Sequence, residues 1–329
     1  MIKISILVAI ILIFILLSIQ SKIYKNHIFD SLSYDCHFKE VEVNQGEDIT
    51  FIEEVSNNKY LPVPWLKAEL TTSKYLIFSD KCSSVSDKNR FISSCYTLQG
   101  NKSVKREWNI TSSKRGVFSI ENVVLSACDI LGMNEFSNPV KCDNSTIMIL
   151  PKIISTPELD MSINGIVGDF EIKRNLLTDV FSMRGIKQYS GYERLNKIHW
   201  KSSAKTNDLM VIEENFSCDI HVRVFLYLQD NCEENLAEKS LSTACSIGVE
   251  LSCRNIPTMI DTNLNMKSNV SFGEGHALNL KRFCASLDLS STNSDIPQLD
   301  SNSLLVIVTP LINKNLEYPK EAKVIFVRF

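Results

Sequence analysis

The chain has 329 residues, 44% of them hydrophobic, with 35 Lys and Arg against 38 Asp and Glu for a formal charge of -3. That balance excludes the strongly basic footprint of a nucleic-acid binder. Ten cysteines over this length are too sparse for a disulfide scaffold, and no two stand as Cys-x-x-Cys, so reduced thiols are expected.

The first predicted element is a helix. From Ile4 to Ile19 the chain is apolar except at Ser5 and Ser18, with Lys3 before it and Lys22 and Lys25 behind. As a helix this run rises about 24 Å against a hydrocarbon core of about 30 Å, a gap that Ile2, Ile23 and snorkelling lysines can close. Its end, Leu17-Ser18-Ile19-Gln20-Ser21-Lys22, lacks the small residues of a signal-peptide cleavage site. Residues 1–25 are therefore expected to form a single-pass transmembrane anchor in contact with membrane lipid. Lys22 and Lys25 then place the remaining domains, folded in water, on the cytoplasmic side.

Residues 36–151 alternate apolar and polar positions in short runs bounded by turn residues. The predicted strands are His37 to Val43, Asp48 to Val55, Trp65 to Thr71, Arg90 to Leu98, Ser103 to Ser112, Gly116 to Ser126 and Thr146 to Leu150. So many short strands in one stretch predict an all-β sandwich of immunoglobulin-like architecture. Residues 152–215 form a connecting segment, with Ser155 to Arg174 polar and irregular, followed by a basic block.

From 216 to 329 the pattern becomes α/β. Strands are predicted at His221 to Leu228, Pro257 to Asp261, Ser303 to Thr309 and Ala322 to Val327. Helices are predicted at Glu233 to Arg254 and Ala277 to Leu287. Their alternation predicts a doubly wound domain with a parallel sheet, so the whole chain reads as an α and β multidomain protein.

Catalytic signatures are missing from the sequence. It contains no phosphate loop, dinucleotide fingerprint, Gly-x-Ser-x-Gly elbow or His-Glu-x-x-His. His27, His37, His199, His221 and His276 are scattered singly, and Glu213-Glu214 are strand neighbours that point to opposite faces. No catalytic residue, cofactor or metal is therefore predicted. A rival reading disperses a hydrolase or transglutaminase-like site over Cys232 or Cys253 with His276, which requires a depressed thiol pKa. A third reading is an extracellular adhesion-like protein.

The most distinctive segment runs from Arg184 to Lys205, where Arg184, Lys187, Arg194, Lys197, Lys201 and Lys205 face Glu193 alone, interleaved with Tyr189, Tyr192 and Trp200. Such a block reads as a solvated face, as a membrane-surface or nucleic-acid patch, or as a loop locked to the core by basic stems over Trp200 and by pairing with Glu193.

This segment resembles the prokaryotic domain of unknown function 58 family, whose members share a stretch reading roughly Leu-Arg-x-Tyr-x-Pro-Gly-Asp-x-x-Arg-x-Ile-x-Trp-Lys-x-Ser-Ala-Arg. Here Lys187, Tyr189, Glu193, Ile198, Trp200, Lys201, Ser203, Ala204 and Lys205 carry the match, before Leu209-Met210-Val211. Fainter echoes precede it at Pro64-Trp65-Leu66, Lys114 to Phe118 and Cys128 to Met133. Gly191-Tyr192 replaces the usual Pro-Gly, and one predicted membrane helix replaces the family's two.

The resemblance implies that the last domain is similar to a von Willebrand factor A domain, where Asp-x-Ser-x-Ser can hold a divalent cation. Asp230 is present, but Cys232 and Glu234 replace both serines, so no cation site is expected and Asp230 reads as a turn or helix N-cap residue. The resemblance further implies a non-enzymatic interaction protein, partner of a MoxR-type AAA+ ATPase in assembling or regulating envelope-associated proteins.

Overall fold

The computed structural model describes residues 2–79, 83–130, 132, 134–142, 145–176, 178–193, 195–216, 220–229, 232–264, 266–289, 300, 302–310, 319 and 322–327, without the side chains of 2–10, 13, 175–184 and 213–216. The chain divides into two compact units, Met1–Lys152 and Ile153–Phe329.

The first unit begins with helix α1 (Ile2–His27). Strands follow in the order β1 (Leu32–Phe38), β2 (Glu42–Asn44), β3 (Asp48–Asn57), β4 (Val63–Ser73), β5 (Leu76–Phe78), β6 (Ser83–Ser86) and β7 (Asn89–Leu98). The remaining strands of the unit are β8 (Lys102–Ser112), β9 (Gly116–Ser119), β10 (Asn122–Cys128), β11 (Glu135–Val140) and β12 (Thr146–Leu150). They form a four-stranded sheet β1-β3-β8-β5, a five-stranded sheet β11-β10-β4-β7-β6 and a small sheet β2-β12-β9.

Alternation makes the core. In β3, Ile49, Phe51, Glu53 and Val55 share one face, as do Leu66, Ala68 and Leu70 in β4, and all are buried. The apolar members join one cluster with Ile110, Leu125, Ile147 and Ile149.

The expected single-pass anchor is corrected here, because among the described residues no helix is long and apolar enough to cross a membrane. The apolar run from Ile4 to Ile19 is shorter than the roughly 20 residues a span needs, and the helix continues through Gln20, Ser21, Lys22, Lys25 and Asn26. Its last turns belong instead to the sandwich. Tyr24 and Ile28 are buried in the core cluster, the Tyr24 hydroxyl donates to the Pro62 carbonyl at 3.1 Å, and Asn134 donates to the Ser21 hydroxyl at 2.8 Å. The membrane placement, and the cytoplasmic side inferred from it, fall with the anchor.

The second unit contains α2 (Pro157–Leu176), β13 (Thr178–Gln188), a short 3-10 turn (Leu195–Lys197), α3 (Trp200–Thr206), β14 (Met210–Phe216) and β15 (His221–Leu226). After these come α4 (Glu234–Cys253), β16 (Thr258–Thr262), α5 (Glu274–Ser286), β17 (Ser303–Pro310) and β18 (Lys323–Val327). The main sheet is parallel throughout, in the order β16-β15-β17-β18, and β13 pairs with β14 as a separate antiparallel ribbon.

One face of the main sheet buries Val222, Val224, Leu226, Val306 and Val308 under α2, α4 and α5. The other buries Phe225, Tyr227, Leu305 and Ile307 with Ala322 and Val324, a cluster that contains no described helix. The expected doubly wound arrangement, with helices on both faces, is thereby corrected among the described residues. Helix α2 also replaces the irregular stretch expected from Ser155 to Arg174. The Thr156 hydroxyl accepts the Leu159 amide at 3.3 Å, Pro157 opens the first turn, and Leu159, Ile163, Ile166 and Phe170 supply a buried stripe.

Candidate functional site

The basic block is not a loop but a small folded motif. Strand β13 delivers Ile186, Lys187 and Gln188 opposite Ile212, Val211 and Met210 of β14. The ladder continues into the connection, where the Tyr189 amide donates to the Leu209 carbonyl at 2.8 Å and Ile198 bridges to Val211. Ile198 and Val211 are both buried and form the motif's apolar foot.

The turn after β13 is closed by Glu193. Its carboxylate accepts the Ser190 amide at 3.1 Å and the Ser190 hydroxyl at 2.6 Å, while the Lys187 ammonium sits 3.0 Å away. The Ser190 hydroxyl, with Lys187 second, pulls the Glu193 carboxyl down to about 2. Gly191 adopts φ +94°, a conformation that L side chains rarely adopt, so this chain makes the turn without the Pro-Gly pair.

Helix α3 is fastened at both ends. The His199 ring nitrogen accepts the Ser202 amide at 3.1 Å, and Asn207 closes the helix in the left-handed region at φ 60° with its amide on the Ser203 carbonyl. The Ser203 hydroxyl accepts the Met210 amide at 2.9 Å and donates to the His199 carbonyl at 3.1 Å, tying α3 to β14.

The residues of the segment therefore divide into two sets. Lys187, Tyr189, Glu193, Ile198 and Ser203 hold the motif together. Trp200 is 67% exposed and Tyr192 97% exposed, and Leu195, Lys201, Ala204 and Lys205 are exposed beside them in sequence. Pairing with Glu193 falls to Lys187, and no described cation stacks on Trp200. The cation–π contacts that are present lie in the sandwich, such as Arg106 over Tyr96 at 4.7 Å and over Trp108 at 5.3 Å.

The dispersed cysteine site is not assembled among the described residues. His276 is buried on α5 with its Nε2 at 2.9 Å from the Thr258 carbonyl, and burial together with Glu233 pushes the Cys232 thiol up, opposite to what a nucleophile requires. No group of three metal-ligating side chains occurs among the described residues. Asp230 lies outside them, as do the side chains of Glu213 and Glu214, and the N-cap of α4 is Glu233.

A second polar site, in the sandwich, went unnoticed in the sequence. Glu53 is fully buried, and its carboxylate accepts the Tyr34 hydroxyl at 2.6 Å, Ser94 at 2.9 Å, Tyr96 at 2.8 Å and the Trp108 ring N–H at 2.6 Å. Its signal was parity, because Glu53 occupies an inward position between Phe51 and Val55. Burial first, and then Glu53, push both the Tyr34 and the Tyr96 hydroxyls well above the usual phenol range. This site is a structural junction of two sheets, since β1, β3 and β8 belong to one and β7 to the other.

No protein-family model and no curated protein matches the chain. Among solved structures it is similar to a non-cellulosomal cohesin from the hyperthermophilic archaeon Archaeoglobus fulgidus, at 17% identity and TM-score 0.24 over 40% of this chain and 97% of that one. It is also similar to the sporulation control protein Spo0M of Bacillus subtilis, at 13% identity and TM-score 0.22 over 48% of this chain and 58% of that one. A third likeness is to a cohesin module of a family 33 glycoside hydrolase from Clostridium perfringens, at 12% identity and TM-score 0.22 over 33% of this chain and 96% of that one. Likenesses at these scores carry no conclusion about this chain's activity.

Proposed function

We propose that this protein is a non-enzymatic interaction module whose segment 187–205 docks on an acidic surface of a protein partner. The partner implied by the family resemblance of this segment is a MoxR-type AAA+ ATPase, acting with this chain in the assembly or regulation of other proteins. The observation that carries the reading is the division of the segment: its polar groups bond inward, while Tyr192, Leu195, Trp200, Lys201 and Lys205 remain exposed. Trp200 beside Lys201 on a fastened helix, and Tyr192 in the turn that Glu193 closes, lose little entropy on binding, and Trp and Tyr dominate hot spots.

The test is binding of the full chain to a purified MoxR-type ATPase from the same genome, compared with Trp200→Ala and Tyr192→Ala. Truncating a central aromatic costs about 2 kcal/mol, so each variant weakens binding roughly 30-fold, and binding falls with salt. Parent and both variants binding equally well, or no binding by the parent, would refute the reading.

A further inference from the structure

Helix α3 is held at its start by a histidine. Asn, Asp, Ser and Thr usually take this position, and their oxygens accept a first-turn amide throughout the neutral range. An imidazole does so only while it is uncharged. The His199 Nδ1 accepts the Ser202 amide at 3.1 Å and stands 2.8 Å from the Ser202 hydroxyl. The ring is half-buried, so protons reach it from solvent.

A second proton goes to Nδ1, the nitrogen with the free lone pair, which can then only donate. The Ser202 hydroxyl can turn and accept from it, but the Ser202 amide cannot, and keeps only the His199 carbonyl at 3.0 Å. The new charge also faces the first-turn amides, where a cation is unfavourable. A helix of seven residues does not stand on its own, so this loss falls on α3 itself.

The charged neighbours do not offset it. Lys201 and Lys205 on α3 and Lys197 on the turn before it carry the same sign as an imidazolium. Lys187 of β13 pairs with Glu193, and Asp208 lies in the connection to β14. That strand presents Met210, Val211 and Ile212 first, with Glu213 and Glu214 further along, opposite Gly185 and Met183. Among the described residues no carboxylate pairs with the His199 ring. Lysines and ordinary carboxylates keep their charge between about pH 7.5 and about pH 5.5, whereas an imidazole ordinarily gains one. Glu193, pulled down to about 2, stays ionised as well.

We propose that His199 is a proton-sensitive latch on the docking segment. Neutral, it caps α3 and holds Trp200, Lys201 and Lys205 in place; charged, it frees the first turn and weakens binding. Its effect on binding rests on the docking reading of segment 187–205, whereas the latch itself does not.

Hydrogen exchange of the full chain tests the latch without a partner. It is read by mass spectrometry on peptides spanning residues 199–207 at about pH 7.5 and about pH 5.5, corrected for the intrinsic pH dependence of exchange. In the parent, protection of α3 falls about fivefold at the lower pH, the worth of an N-cap, while α2 and α4 keep theirs. His199→Asn, which caps without titrating, keeps its protection at both. Binding to the purified ATPase weakens by a similar factor in the parent and not in the variant, a comparison that removes any titration of the partner. Equal protection of α3 at both pH values in the parent overturns the latch, as does an equal loss in His199→Asn. Protection lost without weaker binding overturns its control of docking. No binding at either pH refutes the docking reading instead, and exchange then decides the latch. If the variant does not fold, a loss in the parent confined to α3, or its absence, decides alone.

Discussion

Replacing Glu53 by Leu tests the reading of the sandwich most directly. Leu fills much the same volume but accepts no hydrogen bond, so the hydroxyls of Tyr34, Ser94 and Tyr96 and the Trp108 N–H lose their common acceptor. Tyr34, Ser94 and Tyr96 are at most 7% exposed, so water does not replace it. A buried donor left unsatisfied costs about 1–3 kcal/mol, and allowing for non-additivity the three together cost about 4 kcal/mol or more. Against a typical total of roughly 5–15 kcal/mol, that leaves the sandwich barely folded. Tyr96→Phe, which removes one donor and leaves three on the carboxylate, costs about 1.5–3 kcal/mol. Glu53→Gln falls between, because its amide oxygen can still accept the three donors now on Oε2. The assay is urea denaturation followed by Trp108 fluorescence, with Trp65 and Trp200 replaced by Phe in every variant. If Glu53→Leu unfolds within about 1 kcal/mol of the parent, the donors have other partners and the reasoning is wrong.

The same tyrosines set a response to alkali. Both hydroxyls titrate higher in the folded unit than in the unfolded chain. Stability is thus intact below the ordinary phenol value of about 10 and falls above it by about 1.4 kcal/mol per pH unit for each tyrosine. Urea midpoints that stay flat from about pH 9.5 to 11 would contradict this. Glu193 behaves in the opposite sense, since its folded value is lowered to about 2. The turn contact is present above the ordinary Glu range and lost as pH falls through about 2, and carboxyl NMR should show that midpoint in the parent and a higher one in Ser190→Ala. In α4, a Cβ on Gly248 would stand 3.0 Å from the Ile260 side chain and 3.3 Å from Leu280, so Gly248→Val should lower stability by about 1–3 kcal/mol in thermal unfolding.

Period-2 alternation was a sound guide in β3 and β7, but it misplaced the first strand, expected at His37 to Val43, where the chain leaves β1 at Phe38 and re-enters a strand only at Glu42. Asp48 to Val55 extends to Asn57, and Arg90 to Leu98 matches β7 within a residue. It misled where two strands abut, because Gly116 to Ser126 breaks at Ile120 and Glu121 into β9 and β10, which join different sheets. Helix α2 carried a Thr-Pro cap and an apolar stripe, yet Asn164, Gly165 and Gly168 masked its periodicity. In the exposed segment the acidic partner of Lys187 was legible as Glu193. The role of Ser203 was not, because its bond to Met210 joins a helix to a strand across a turn, a relation with no period in the sequence. The anchor was misread because hydropathy registers the apolar run but not that Tyr24 and Ile28, just beyond it, close the sandwich core.

The small sheet β2-β12-β9 sets the order in which the first unit can fold during synthesis. Strand β2 pairs in parallel with β12, Val43 opposite Ile149, so one of the earliest strands waits for the last. A nascent chain halted before Thr146 holds β1 and β3 ready to pair, but leaves Val43 without its neighbours and the core open where Ile147 and Ile149 belong. Such a chain exposes an unfinished edge on the ribosome, and the sandwich closes only as the second unit begins to emerge. Closure of the first unit thus waits on its last strand, Thr146–Leu150, before Pro151 leads the chain onward.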